Sequence, residues 1–156
     1  MVDVSDNGEV ADVLGIHRAV NDRVLSGPGM FNIYKALGSV RGEQVPDIDA
    51  PEMTNRAMNR VDQLSADALD LYCTLLGRLA GDLALTVNAH GGVYLSGSLM
   101  QRIGVDRISQ GFNKGFTDKD KMTAKVNRIP VKLLRIKDQC LLGASVWIES
   151  QISAAL

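Results

Sequence analysis

Apolar positions along this chain recur at helical spacing over most of its length and at strand spacing in two short places. Val10, Val13, Leu14, Ile16 and Val20 predict a first helix, ending before Ser26-Gly27-Pro28-Gly29. Met30, Ile33, Tyr34 and Leu37 stand at i, i+3, i+4 and i+7 and predict a second helix, closed by Gly38. Residues 39–50 are polar and turn-rich and read as a surface loop. Pro51 suits a first helical position, opening a short helix through about Asn59. The longest helix is predicted from Ser65, as its N-cap, to about Asn88, with Leu69, Tyr72, Cys73, Leu76, Leu79, Leu83 and Val87 on one apolar face. Val93–Leu95 and Pro130–Ile136 predict strands. Leu99–Ile103 and Leu141–Ile152, the second carrying Val146 and Trp147, predict helices.

The pattern is α/β, helix-rich, with two core strands. Two strands are few, because a sheet commonly has about five or six and a parallel pair needs cover on both faces. The expectation is therefore a single partial domain over residues 1–156, belonging to something larger.

Composition narrows the function. Apolar residues make up 46% and charged residues 22% of 156 positions, as in ordinary globular proteins. The formal net charge of −1 gives no reason to expect nucleic acid or an anionic membrane as partner. The longest apolar region is interrupted by Arg78 and Asp82, so no membrane span is expected. The N-terminal residues do not have the form of a secretory signal, and Cys73 and Cys140 form no C-x-x-C pattern, which favours two free thiols in a cytoplasmic setting.

The candidate chemistry lies at His90-Gly91-Gly92-Val93-Tyr94-Leu95-Ser96-Gly97-Ser98, an apolar strand opening into a small-residue turn before a helix. Small residues at the carboxyl end of a strand are where open α/β sheets receive ligands, and Gly97 lets backbone come close to one. The same stretch resembles the adenosine-side signature of bacterial glucokinases, in the actin-like sugar-kinase superfamily. Further blocks resemble the family in the same order: Ser26-Gly27-Pro28-Gly29-Met30-Phe31-Asn32-Ile33-Tyr34, Gly77-Arg78-Leu79-Ala80-Gly81-Asp82-Leu83-Ala84-Leu85, Gly111-Phe112 through Phe116-Thr117-Asp118-Lys119, Ile129-Pro130-Val131, and Leu141-Leu142-Gly143-Ala144.

The resemblance implies part of an actin-like, ribonuclease H-like ATPase domain: the C-terminal portion of a glucokinase large domain, without the small domain and the antiparallel meander. It implies ATP with Mg2+ and glucose as the parent enzyme's substrates, glucose 6-phosphate as product, and a homo-oligomer, such as a dimer. It assigns Gly92, Ser96, Gly97 and Ser98 to the adenosine side and Asp22 to a glucose contact. It assigns no catalytic residue, because the family's Asp-x-Gly-Gly-Thr phosphate loop, its Asn-Asp base pair and its Glu-Gly-Gly-His sugar run are not among these residues. Phosphoryl transfer rests on positioning and electrostatic stabilisation, so this chain alone is expected to be inactive. Several positions depart from the family: Asp22 replaces a glutamate, Ser98 and Asp120 each replace a glycine, and Gln139-Cys140 replaces Pro-Gly.

Plainer readings stand beside these. Gly77 and Gly81, one turn apart, suit close helix packing. Tyr34 and Tyr72 lie on apolar faces and read as core. His17 and His90 have no further ligand at metal spacing, Asp118-Lys119-Asp120-Lys121 reads as a solvated helix start capped by Thr117, and Ser26 lacks the frame of a nucleophile. A non-catalytic binding or assembly module derived from the sugar-kinase fold is the alternative function.

Overall fold

The computed structural model of the chain describes residues 24–136 and 138–155. The helix expected over Val10–Val20 lies outside the described residues. Helix α1 spans Gly27–Arg41, with Pro28 in its first turn. The Ser26 hydroxyl accepts the Gly29 N–H at 3.1 Å, so this serine is a helix cap. The helix does not close at Gly38. It runs on to Gly42, whose left-handed φ of 66° ends it. Gly38 is instead buried inside the helix, where a Cβ would run into the Val45 side chain as the loop folds back.

Helix α2 spans Ala50–Asn59, with Pro51 in its first turn as expected, and the Asp49 carboxylate accepts the Glu52 N–H at 2.8 Å. Helix α3 spans Gln63–Thr86. Its cap is Asp62, not Ser65: the Asp62 carboxylate accepts the Ser65 N–H at 2.7 Å, and Ser65 is fully buried in the first turn. The Arg41 guanidinium meets the Asp67 carboxylate at 2.7 Å and ties α1 to α3. Between these helices sits the core, built on Met30, Ile33, Tyr34, Leu37, Met53, Leu69, Tyr72 and Cys73.

The apolar face predicted for α3 holds only in its first half. Leu69, Tyr72 and Cys73 are buried, whereas Leu83 is 54% and Val87 70% exposed. The second half turns its small residues inward, Gly77, Ala80, Gly81 and Ala84, which rotates Leu83 and Val87 outward. What those small residues meet is helix α5, Val105–Thr117, which makes the most extensive contact of any pair of elements with α3. A Cβ on Gly77 would strike the Phe112 carbonyl, and one on Gly81 would lie 2.7 Å from the Phe116 carbonyl. Reciprocally, a Cβ on Gly111 would lie 2.7 Å from the Asp70 carbonyl, and one on Gly115 would strike the Thr74 carbonyl. Partner numbers rise together, so the two helices run parallel, backbone against backbone.

Side chains continue the pairing. Arg78 reaches Asp118 at 3.2 Å, and the Lys119 amine donates to the Asp82 carboxylate at 2.7 Å and to the Arg78 carbonyl at 2.9 Å. The Asp118–Lys121 run is therefore not simply a solvated helix start: the Lys119 side chain is only 8% exposed, because its stem lies over Gly81. Thr117 ends α5 rather than capping a new helix, its hydroxyl donating to the Asn113 carbonyl at 2.8 Å. A 3₁₀ turn over Asp120–Met122 and the short helix α6, Thr123–Val126, follow. Asp120 holds a left-handed φ of 46°, which accounts for a glycine serving equally well there.

Among the described residues, two short strands complete the α/β fold. Strand β1, Val93–Leu95, pairs in parallel with β2, Val131–Leu133, in the register Val93↔Val131, Tyr94↔Lys132 and Leu95↔Leu133. The second strand is shorter than the predicted 130–136. Helix α4, Ser98–Ile103, together with α5 and α6, forms the crossover between them. Helix α7, Gln139–Ala155, closes the chain with Leu141, Leu142, Val146, Trp147, Ile148 and Ile152 all at least half exposed. No helix among the described residues is long and apolar enough to cross a membrane.

Candidate functional site

Strand β1 delivers Ser96, Gly97 and Ser98 to its carboxyl end, where all three are exposed. Gly97 makes the turn possible. Its φ of 119° and ψ of 153° suit glycine alone, and open space lies where a Cβ would stand. The Gly97 carbonyl accepts the Gln101 N–H at 3.1 Å and starts α4. One turn along α4, the Gln101 side-chain amide donates to the Ile136 carbonyl at 3.1 Å and more loosely to that of Leu134. This holds the segment after β2 beside the turn after β1. That segment is anchored in turn by the Leu134 N–H, which donates to the Leu95 carbonyl at 2.9 Å.

The two turns enclose a hollow of about 420 Å³ lined by Ser96, Gly97, Ser98, Gln101, Ile136, Asp138 and Cys140. Hydroxyls, an amide and backbone make its polar wall, Ile136 gives it an apolar patch, and among the described residues Asp138 is its only charged group. Among the described residues, no lysine or arginine lines it. The described lining suits a partly apolar molecule with several hydrogen-bonding groups. On the other side of Ser98, a smaller hollow of about 270 Å³ lies against the starts of α1 and α2, with Arg102 on its wall.

The structure thus brings Ser96, Gly97 and Ser98 together but not Gly92. That glycine lies at the opposite end of β1, where a Cβ would sit 2.8 Å from the Pro130 carbonyl, so it packs the start of one strand against the other. Asp22 lies outside the described residues. Gln101 and Arg102 were missed by sequence reasoning, although they stand one helical turn beyond Ser98 and so face the same end of the sheet. Tyr34 and Tyr72 are core residues, 1% and 2% exposed. Burial raises the Tyr72 hydroxyl to about 12, and burial, aided by the Asp70 carboxylate, raises the Cys73 thiol to about 12. Neither is placed for chemistry. Among the described residues, no group of three or more His, Cys, Asp and Glu gathers to hold a metal.

Comparison with known proteins gives a consistent result. The glucokinase family model matches residues 10–151. The chain is 39% identical to a glucokinase of Saccharophagus degradans over 126 residues, covering 80% of this chain and 39% of that protein. It is 35% identical to a glucokinase of Nitrobacter hamburgensis over 136 residues, covering 86% of this chain and 42% of that protein. Among solved structures, a glucokinase from an Antarctic psychrotroph superposes with a TM-score of 0.82 at 28% identity, covering 96% of this chain and 47% of that one. The chain spans about two fifths of the length of the curated relatives it matches. With residues 10–151 matched and the fold shared, this chain belongs to the glucokinase family.

Proposed function

We propose that this chain is the adenosine-side portion of the large domain of an ATP-dependent glucokinase, a cytoplasmic phosphotransferase that converts glucose and ATP to glucose 6-phosphate and ADP. The observation that carries the reading is the hollow at the carboxyl end of β1, where Ser96, Gly97 and Ser98 meet Gln101 and Ile136. A nucleoside matches that lining: hydroxyls and an amide for ribose and base edges, an open glycine for close approach, an apolar patch for the base face. When bound, Mg-ATP supplies the γ-phosphoryl group that passes to the 6-hydroxyl of glucose. The Ser96 and Ser98 hydroxyls and the Gln101 amide orient the nucleoside end. The phosphates and the metal are held by groups outside this hollow. Asp22 accepts a glucose hydroxyl in this reading.

Without a phosphate loop or a catalytic base, these 156 residues alone turn over no ATP. They bind adenosine at about millimolar strength, since phosphate contacts supply much of a nucleotide's affinity. The test is a titration with adenosine followed by amide NMR, beside a coupled glucose-phosphorylation assay. Shifts centred on Ser96–Gln101 with no turnover are expected. Adenosine that leaves those amides unmoved, or appreciable turnover with contaminating kinase excluded, would overturn the reading.

A further inference from the structure

A larger hollow, of about 540 Å³, opens at the other end of β1, between the turn after α3 and the segment leading into β2. We propose that it binds small phosphate-bearing anions, at a site separate from the adenosine-side hollow. Lys121, Lys125 and Arg128 line it. Their i, i+4, i+7 spacing, carried through the 3₁₀ turn and α6, places the three cations along one side of the hollow. His90 and Asn88 face them with further hydrogen-bonding groups, and buried Ile129 contributes an apolar surface.

The charge around this hollow is unbalanced. Among the described residues, no carboxylate lines it. Among the described residues, none of these three cations has an ion-pair partner, whereas Lys119, just upstream, is fully engaged with Asp82 and the Arg78 carbonyl. The nearby Asp118 is paired with Arg78. Three formal positive charges therefore converge on one hollow in a chain whose net charge is −1. Lys125 is half-buried there, so its stem is held against the hollow. An arginine fork beside two lysine point charges matches phosphate oxygens. Among the described residues, no aromatic ring lines the hollow to stack a base, so a small anion fits better than a nucleic acid strand.

The test is calorimetric titration of the whole chain with pyrophosphate at low ionic strength. Saturable binding is expected, weakening several-fold as NaCl rises from about 50 to about 200 mM. Lys125→Glu and Arg128→Glu should each weaken it about tenfold, while Lys35→Glu, an exposed cation on α1, should change it less than about twofold. Lys121→Gln, at an exposed position, serves if either reversal fails to fold, and should weaken binding about threefold. Excess adenosine should leave pyrophosphate binding unchanged. The proposal is overturned by absence of binding at about 10 mM pyrophosphate. It is equally overturned by equal weakening from Lys35→Glu, which would mean net charge alone, or by binding of single-stranded RNA with none of pyrophosphate.

Discussion

Lys119 and Asp82 meet at 2.7 Å across the α3–α5 pair, with the lysine side chain 8% exposed and the aspartate 66% exposed. The asymmetry decides which partner matters. An ion pair open to water on one side contributes less than about 1 kcal/mol. The lysine also bonds the Arg78 carbonyl and lays its stem on Gly81. Lys119→Ala should therefore cost about 1–2 kcal/mol in urea unfolding, and Asp82→Asn less than about half of that. Lys119→Met, which keeps the stem, should fall between. Equal losses from all three variants would show that charge alone matters at this contact.

The reciprocal glycines should be the least tolerant positions of the fold. An alanine methyl at Gly77 or Gly115 would collide with a carbonyl of the facing helix, which no side-chain rotation relieves. Either substitution should destabilise by at least ~2 kcal/mol. Gly27→Ala, where open space surrounds the position, should be much milder. Chemical denaturation of the three variants, compared by midpoint at constant slope, checks the order.

Cys73 and Tyr72 predict an alkaline weakness. The Cys73 thiol is raised from 9.0 to about 12, chiefly by burial, and the Tyr72 hydroxyl from 10.0 to about 12. The unfolded chain loses the thiol proton above about pH 9 and the tyrosine proton above about pH 10, while the folded chain keeps both. Stability should therefore be complete below about pH 9 and fall from there to about pH 12, by up to about 1.4 kcal/mol per unit for each group. Cys73→Ala should flatten part of the slope. In the native state a thiol reagent should modify exposed Cys140 quickly and buried Cys73 only on unfolding.

Gly97 offers a direct probe of the adenosine-side hollow. Any other residue must hold a φ of 119° there and project its side chain into the opening. Gly97→Val should weaken adenosine binding about tenfold or more, with a strain cost of about 1–3 kcal/mol in stability. Ser98→Gly, which removes one of the orienting hydroxyls, should weaken adenosine binding about threefold. NMR titrations of both variants read the effect.

The exposed apolar surface points to self-association. Among the described residues β1 has a single strand partner, with Tyr94 53% exposed, and α7 shows Trp147 64% exposed beside five more large apolar side chains. Surface of this kind marks contacts between chains. Sedimentation should show concentration-dependent association. Trp147→Lys should reduce it if α7 forms the contact, and Tyr94→Lys if the strand edge does. A monomer at high concentration would show that neither surface is sticky.

Local signals were read well where they act locally. Pro51 opening α2, the strand at Val93–Leu95 and the buried tyrosines follow from spacing and residue type alone. Two of the misses come from contact with another segment. Gly38 looks like a helix end, yet it exists to admit Val45, and Leu83 looks like core, yet α5 claims the glycine side of the helix. Ser65 and Asp62 are both good caps by type, and only the backbone geometry selects the aspartate. The site was legible as a turn of small residues. Gln101 was not, because its role depends on carbonyls more than thirty residues downstream.

The seam between α3 and α5 also has a mechanical meaning. Where peptide groups touch directly, the spacing of two rods is set by bond geometry, and no rotamers lie between them to absorb a push. Next to the Lys121–Ile129 hollow, the two helices therefore form a stiff strut rather than a compliant core. A displacement imposed at the Lys121–Ile129 end must move both helices together or not move them at all. Small graded adjustments have nowhere to be stored.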